Sequence, residues 1–145
     1  AWEWHRTVME AEMAANYDAE WERGRDRLSE SLRQQLERGR AIPALDYQKA
    51  LARIPLVNEA LTEIFSSYDA VLTPSAPGTA PRGLVSTGDP VFCTLWTFCG
   101  MPALNLPLMT GSNGLPLGAQ LVGPRLGDAQ LLRTARWFAG RVAQN

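Results

Sequence analysis

Residues 103–123 read ALNLPLMTGSNGLPLGAQLVG, and this stretch decides the fold of the second half of the chain. Two apolar runs, residues 103–109 and 117–123, flank the pair Asn113-Gly114. An Asn-Gly pair between apolar runs is a strong signal for a β-hairpin. Pro107 cannot donate to a strand ladder, which indicates an edge position or a bulge on the first strand. The stretch therefore predicts a hairpin of two short strands.

Further elements extend from this hairpin in both directions. Residues 91–99 are almost wholly apolar and are closed by a glycine, which favours a buried helix, and residues 69–74 predict a short buried strand. Residues 74–90 are rich in Pro and Gly and predict a long loop, which in compact domains is often functional. Downstream, Asp128 is expected to be the N-cap residue of a helix whose apolar stripe is Leu131, Leu132, Ala135, Phe138, Ala139 and Val142.

The first 68 residues have helical patterns. A short helix is predicted over Trp4–Tyr17. From Glu20–Arg38 the apolar residues share one face and acidic and basic side chains alternate around it, which predicts a solvated helix that stops at Gly39. The next helix is expected to take Asp46 as its N-cap residue and to kink or split at Pro55. Together these elements predict a sheet covered by helices.

Composition excludes several classes of protein. The 145 residues allow one domain, and 46% hydrophobic against 20% charged residues is typical of a globular chain rather than a disordered one. Fourteen basic and fifteen acidic side chains give a net charge of −1, so no basic surface for nucleic acid or an anionic membrane is expected. No apolar run reaches the length of about 18 residues needed to span a bilayer. The chain begins at Ala1 and has the character of a piece of something longer.

The residue types of a self-contained active site are not found together in this sequence. The single histidine, His5, is far along the chain from Cys93 and Cys99, and neither zinc-ligand spacing nor a phosphate-binding loop occurs. The two cysteines lie in an apolar stretch and are expected to be reduced, buried thiols of a cytoplasmic protein. Lys49 is expected on the surface. We therefore predict no catalytic residue, no metal and no cofactor in this chain.

Two segments have the composition of a binding-site wall. One is the loop that follows Thr73, and the other is the apolar segment in which Thr94, Trp96 and Thr97 would give a hydrophobic channel a few hydroxyl groups. A core helix beside a surface loop explains the same composition, so both interpretations stay open.

Five segments resemble the amidase signature family in the family's own order. Residues 68–77, YDAVLTPSAP, resemble its "yDvLLtPt.p" segment, and residues 100–107, GMPALNLP, resemble "G.PA..vP". Residues 114–123, GLPLGAQLVG, are similar to "GLPvGlQliG". Residues 36–50 resemble its "le.G … dY..A" helices, and residues 128–132 are similar to the start of its last helix.

The resemblance implies an α/β fold, the C-terminal part of the amidase-signature fold, in which α-helices cover a mixed β-sheet. It covers nearly the whole chain, so we expect residues 1–145 to form one portion of an amidase-signature domain. Within it, residues 1–68 would be helical, and residues 69–145 would hold the strands, the loop and the closing helix. Thr97 stands where many family members have Asn.

The resemblance also implies an activity, the hydrolysis of a carboxamide C–N bond to an acid and ammonia. Family members use a Ser–cis-Ser–Lys triad, in which one serine attacks the carbonyl and the other relays its proton to a neutral lysine. Backbone N–H groups of a Gly-rich run hold the oxyanion, and water resolves the acyl-enzyme. None of these groups maps onto this sequence, and the 145-residue segment alone is predicted to be inactive.

The implied role is completion of the sheet and part of the substrate-channel wall, with Ser75, Pro90, Thr94 and Trp96 as candidate substrate-binding residues. The implied partners are a small-molecule amide and the upstream catalytic part of the same protein, with no direct contact to nucleic acid and no membrane. Self-association into a homo-oligomer stays open. Two other functions also stay open, an amidotransferase A-type subunit that works in a complex and a non-catalytic, free-standing binding domain.

Overall fold

Residues 1–142, which the computed structural model describes, fold into an N-terminal unit, Ala1–Leu56, and a C-terminal unit that begins at Val57. The predicted portion 1–145 therefore includes three residues, 143–145, outside the described ones. None of the helices within residues 1–142 combines the length and the apolar character needed to cross a membrane.

Helices make up the N-terminal unit: α1 Trp2–Asn16, α2 Asp18–Gly24, a 3₁₀ turn Arg25–Arg27, α3 Glu30–Arg40, α4 Ala44–Leu51 and the start of α5 Arg53–Ser67. Within this unit α1 packs against α3 and α4. The predicted split near Pro55 is confirmed, because α4 ends at Leu51 and α5 begins at Arg53. Proline is tolerated in the first turn of a helix, where its missing N–H has no intrahelical partner to lose.

The prediction of one continuous helix over Glu20–Arg38 is wrong. The chain leaves α2 at Gly24, passes through the 3₁₀ turn and is extended at Leu28, with φ −74° and ψ 147°. Ser29 then caps α3, since its Oγ accepts the backbone N–H of Leu32 at 3.3 Å. A serine that satisfies a free N–H group in this way starts a new helix, which the apolar spacing alone could not distinguish from a continuing one.

Two predicted helix ends are also wrong. Gly39 lies inside α3, which continues to Arg40, and it is buried. A Cβ atom at Gly39 would overlap the carbonyl oxygen of Glu10 and lie 2.7 Å from its carbonyl carbon, so glycine here lets α1 and α3 approach closely. Asp46 lies in the first turn of α4, whose N-cap residue is Pro43.

The C-terminal unit holds a three-stranded sheet and two further helices: β1 Val71–Pro74, α6 Val91–Cys99, β2 Ala103–Thr110, β3 Pro116–Val122 and α7 Asp128–Val142. The strand order is β1-β3-β2, and both pairings among the described strands are antiparallel. The predicted hairpin, the buried helix after the loop and the last helix are confirmed, and so is the α/β fold class.

Both predictions for Pro107 hold. β2 is an edge strand of the described sheet, and its register with β3 is irregular between Leu106 and Met109. A residue that cannot donate to the ladder lies where the ladder is interrupted.

The two faces of the sheet differ. On one face, α7 packs against β2 and β3, and the buried Leu121, Leu131 and Ala135 form the core there. Gln120 adjoins Leu121 in β3 and therefore lies on the opposite face, because successive strand residues alternate between faces. Its register partners are Thr73 on β1 and Asn105 on β2, so these three polar residues share the face away from α7.

Candidate functional site

A groove of about 740 Å³ lies beside the polar face of the sheet, and we call it the loop groove. Residues 75–81 and 86–90 of the long loop line one side, and Asn105 with residues 116–118 lines the other. Most of these side chains are small and uncharged, and the charged one among the lining residues is Asp89.

Part of the lining of the loop groove lies where β1 ends. Beyond Pro74 the backbone N–H of Ser75 donates to the carbonyl of Gly118 at 3.3 Å, and the Ser75 hydroxyl donates to Asn105 Oδ1. A Cβ atom at Gly118 would overlap that same Asn105 oxygen. Glycine at 118 therefore leaves the space that the Asn105 side chain occupies beside Ser75.

Gln120, the cross-strand partner of Asn105, is only 4% exposed. Its Nε2 donates to the carbonyl of Phe92 at 2.7 Å and to the carbonyl of Pro74 at 3.2 Å. The thiol of Cys93 lies 3.6 Å from the carbonyl oxygen of Ser75 and 4.0 Å from Gln120 Oε1. The end of β1 and the first turn of α6 are thus joined through the buried amide of Gln120 and through the Cys93 thiol.

The rest of the loop is held by uncharged side chains and one carboxylate. Asn113, in the turn of the hairpin, donates from Nδ2 to the hydroxyl of Thr79 at 2.8 Å. Its Oδ1 accepts the backbone N–H of Leu115 at 3.2 Å, which orients the amide. At the far end, Asp89 Oδ1 accepts the backbone N–H of Val91 at 2.9 Å and ties the loop to the start of α6.

Of the four predicted substrate-binding residues, Ser75 and Pro90 line the loop groove. Thr94 and Trp96 lie in α6 with 7% and 8% of their surface exposed, and neither is among the lining residues. The Thr94 hydroxyl donates to the carbonyl of Pro90 at 3.1 Å, so it supports the residue that lines the groove.

Sequence reasoning missed Asn105, Gly118 and Gln120. The signal that could have found two of them is a lone amide side chain inside an apolar strand, with leucines on both sides of Asn105 and with Ala119 and Leu121 around Gln120. A buried polar side chain requires hydrogen-bond partners, so such a residue points to a specific contact.

Within the described residues, His5 and the buried Cys99 belong to different units. Burial raises the pKa of the Cys99 thiol, which disfavours the reactive thiolate, and burial lowers the pKa of His5 in the N-terminal unit. Within residues 1–142 there is no group of three or more His, Cys, Asp or Glu side chains that could hold a metal ion. The described residues form a groove with hydroxyl and amide groups in its lining.

Comparison with known proteins connects this geometry to a family. The model of the Amidase family matches residues 6–132. The A-type subunit of the glutamyl-tRNA(Gln) amidotransferase from Agathobacter rectalis is 35% identical over 99 residues, which is 63% of this chain and 20% of that protein. Its mitochondrial counterpart from Rattus norvegicus is 34% identical over 96 residues, 60% of this chain and 18% of that protein. The chain thus spans about a fifth of the length of these curated relatives.

Solved structures share the fold. A crystal structure of an amidase superposes with a TM-score of 0.86 at 24% identity, over 96% of this chain and 35% of that one. A bacterial aryl acylamidase of the amidase signature family has a TM-score of 0.64 at 18% identity, over 87% of this chain and 30% of that one. The predicted resemblance is confirmed by the family match and by this likeness of fold. The chain belongs to the Amidase family, also called the amidase signature family.

Proposed function

We propose that this chain is the C-terminal part of an amide hydrolase, which cleaves the C–N bond of a carboxamide to a carboxylic acid and ammonia. The observation that carries the proposal is the loop groove, because it is built by the segments that bear the family's motifs. Residues 68–77 supply Ser75, residues 100–107 supply Asn105, and residues 114–123 supply Gly118.

In this proposal Ser75 and Pro90 contact the substrate directly, while Thr94 and Trp96 support the wall from within α6. A hydroxyl and a side-chain amide in the lining can exchange hydrogen bonds with a carboxamide, which carries both a donor and an acceptor. The mainly uncharged lining and the negative charge of Asp89 favour a small, uncharged or moderately apolar amide over an anionic one.

The nucleophile, the base and the oxyanion donors would come from an upstream catalytic part of the same protein. The share of the relatives that this chain covers supports that division, since it leaves room for most of their length. The segment would then complete the sheet and one wall of the substrate channel and would be inactive alone. The two free thiols, Cys93 and Cys99, support a cytoplasmic location.

The curated relatives support a second candidate function. They are A-type subunits of glutamyl-tRNA(Gln) amidotransferases, so a subunit of that type working in a complex is the alternative. Glutamine carries an α-ammonium group as well as an α-carboxylate, so Asp89 at the loop groove would attract one of these groups and repel the other and does not distinguish the two functions.

Ammonia release distinguishes these functions. We would express the chain with and without the upstream residues of its reading frame and supply acetamide, benzamide or glutamine. We expect saturable ammonia release from a neutral amide with the longer protein and none with the 145-residue segment. Glutamine turnover that requires a partner protein would favour the amidotransferase, and ligand binding by the segment alone without turnover would favour the binding domain.

A matched pair of variants tests the groove itself. Ser75→Ala removes the hydroxyl that donates to Asn105, and we expect KM to rise by about tenfold, the value of one hydrogen bond. The control is Ser112→Ala, at an exposed position in the hairpin turn, which should leave KM unchanged. Equal KM values for the two variants would contradict substrate binding at the loop groove.

A further inference from the structure

Gln120 connects two segments that are distant in sequence but adjoin the same groove. Pro74, whose carbonyl it contacts at 3.2 Å, directly precedes Ser75 at one end of the loop. Phe92, whose carbonyl it contacts at 2.7 Å, follows Pro90 by two residues at the other end. Both ends of loop 75–90 are therefore attached to one nitrogen atom in the middle of β3.

The chemistry of this contact is specific to a carboxamide. The Nε2 atom carries two N–H groups, and each can donate to a different carbonyl oxygen without bringing a charge into the interior. An ionised carboxylate has no proton to donate and would repel both carbonyls, and a thioether has none either. At 4% exposure, water cannot readily replace these hydrogen bonds.

The consequence for the loop groove follows from where the two carbonyls lie. Because Ser75 and Pro90 are one and two residues from the contacted carbonyls, the amide links these two lining residues, alongside the contact of the Cys93 thiol with the Ser75 carbonyl. The middle of the loop has its own contact between Asn113 and Thr79, which does not constrain the two ends. Small displacements of substrate-positioning groups have large effects on catalysis, up to about a hundredfold for 1 Å.

We propose that Gln120 is a positioning residue for substrate binding, which holds the two ends of loop 75–90 at the separation that the loop groove requires. It does not contact the substrate. The effect on KM rests on the proposed amide hydrolase function, whereas the attachment of the loop does not, so the two can fail separately.

Two substitutions isolate the hydrogen bonds from the shape of the side chain. Gln120→Met keeps a similar length without donors. Gln120→Glu has no donor when ionised and regains one when protonated, and burial raises the pKa of such a carboxyl into a range that can be titrated. The titratable group that the structure brings against this side chain is the Cys93 thiol. Gln48→Met and Gln48→Glu, at an exposed position on α4, are the matched controls.

Trypsin cleavage after Arg82 reports on the loop without any substrate, because Arg82 is exposed and is the basic residue of loop 75–90. In the full-length protein we expect Gln120→Met to accelerate this cleavage by about tenfold relative to Gln48→Met. Without the two hydrogen bonds, loop 75–90 should detach from β3 more often and expose the bond after Arg82 to trypsin. In Gln120→Glu the protonated carboxyl has one O–H and can donate to one of the two carbonyls, so protection relative to wild type should recover in part between pH 8 and pH 5.5, and Gln120→Met should show no such recovery.

Kinetics then test the link to binding. With whichever neutral amide is turned over, Gln120→Met should raise KM by about tenfold and change kcat by less than threefold, and the KM of Gln120→Glu should fall at low pH. Unchanged cleavage at Arg82 in a folded Gln120→Met protein would overturn the proposal. Uniformly faster cleavage at all arginines, with no recovery of Gln120→Glu at low pH, would also overturn it and indicate a purely structural role. Absence of turnover in the wild type, with the loop effect intact, would contradict only the proposed function.

Discussion

The N-terminal and C-terminal units are held together by different chemistry. In the N-terminal unit, arginines bridge the helices: Arg38 contacts Glu10 at 2.8 Å, Arg25 contacts Glu37 at 2.6 Å, and Arg40 contacts Asp18 at 2.7 Å. Arg25 and Arg40 also lie over the Trp21 ring, at 4.4 and 5.3 Å from its centroid. In the C-terminal unit, the loop groove is held by the uncharged side chains of Ser75, Asn113 and Gln120.

The difference separates a structural surface from a binding surface. Most of the N-terminal ion pairs are exposed to solvent, where each contributes at most about 1 kcal/mol and salt screens it. Around the groove, uncharged hydrogen bonds position the loop without creating a strong local field, so that the charge of Asp89 can influence which ligands bind. Substitutions in each unit test this division, beginning with the close contact between α1 and α3 in the N-terminal unit.

Gly39→Ala should have the largest effect on stability. The added methyl group would overlap the Glu10 carbonyl, and separating α1 from α3 should lower the free energy of unfolding by about 3 kcal/mol. The control is Gly140→Ala in α7, where no heavy atom lies within 4 Å of the added Cβ and helix propensity should stabilise by about 0.5–1 kcal/mol. Urea unfolding followed by circular dichroism measures both. Equal stability of Gly39→Ala and wild type would show that the two helices are not in close contact.

Arg38→Met should have the next largest effect. It leaves the carboxylate of Glu10, a residue with 4% exposure, without its cation, and we expect a loss of about 2 kcal/mol because Arg38 itself is half exposed. Arg33→Met, on the same helix, removes an ion pair with the exposed Glu30 and should cost about 0.5 kcal/mol or less. Hydrogen exchange of the α1 and α3 amides measures the difference. Similar losses of stability in the two variants would show that the burial of Glu10 does not strengthen its ion pair.

Cys99→Ala tests the uncharged interior of the C-terminal unit. Cys99 is 1% exposed, so the lost packing should cost about 1 kcal/mol while any ammonia release stays within a few-fold of wild type. Because burial raises the pKa of its thiol, Cys99 should also react with iodoacetamide more slowly than the partly exposed Cys93. Cys93→Ala should likewise leave the rate of ammonia release within a few-fold. A loss of activity at unchanged stability would give one of these thiols a chemical role.

The smallest effect concerns His5. Burial lowers its pKa in the folded protein below the ordinary value of 6.5, so the unfolded chain binds the proton more readily. Its contribution to stability is therefore present above pH 6.5 and is lost as the pH falls through the lowered pKa. The difference in urea midpoint between wild type and His5→Gln, measured from pH 7.5 to pH 5, should decrease in that direction. A stability difference that grows on acidification would contradict the sign.

Local chemistry made several elements predictable from the sequence. The turn residues Asn113 and Gly114 predicted the hairpin, and Gly100, which adopts φ 64°, predicted the end of α6. The ring of Pro55 predicted the boundary between α4 and α5. In each case the constraint acts on the residue itself or on its immediate neighbours, so no distant contact is needed to predict it.

The geometry of the candidate site depends instead on contacts between distant parts of the chain. Ser75 and Pro90 were named from the resemblance, but Thr94 and Trp96 in α6 line no part of the loop groove. Gln120 contacts Pro74 and Phe92, which are 46 and 28 residues away in the sequence. The sequence alone does not show which carbonyl groups a buried amide will contact. Those contacts depend on strand register and on where α6 lies on the sheet.

Gly39 illustrates where the sequence by itself stops and tertiary structure decides. A glycine near the end of a helical pattern is compatible with a helix stop and with a close contact between helices, because both need a residue without a Cβ atom. The sequence by itself determined that position 39 has no Cβ atom, which both explanations require. Only the approach of Glu10 on α1 decided that the reason is packing, since steric exclusion depends on an atom contributed by another helix.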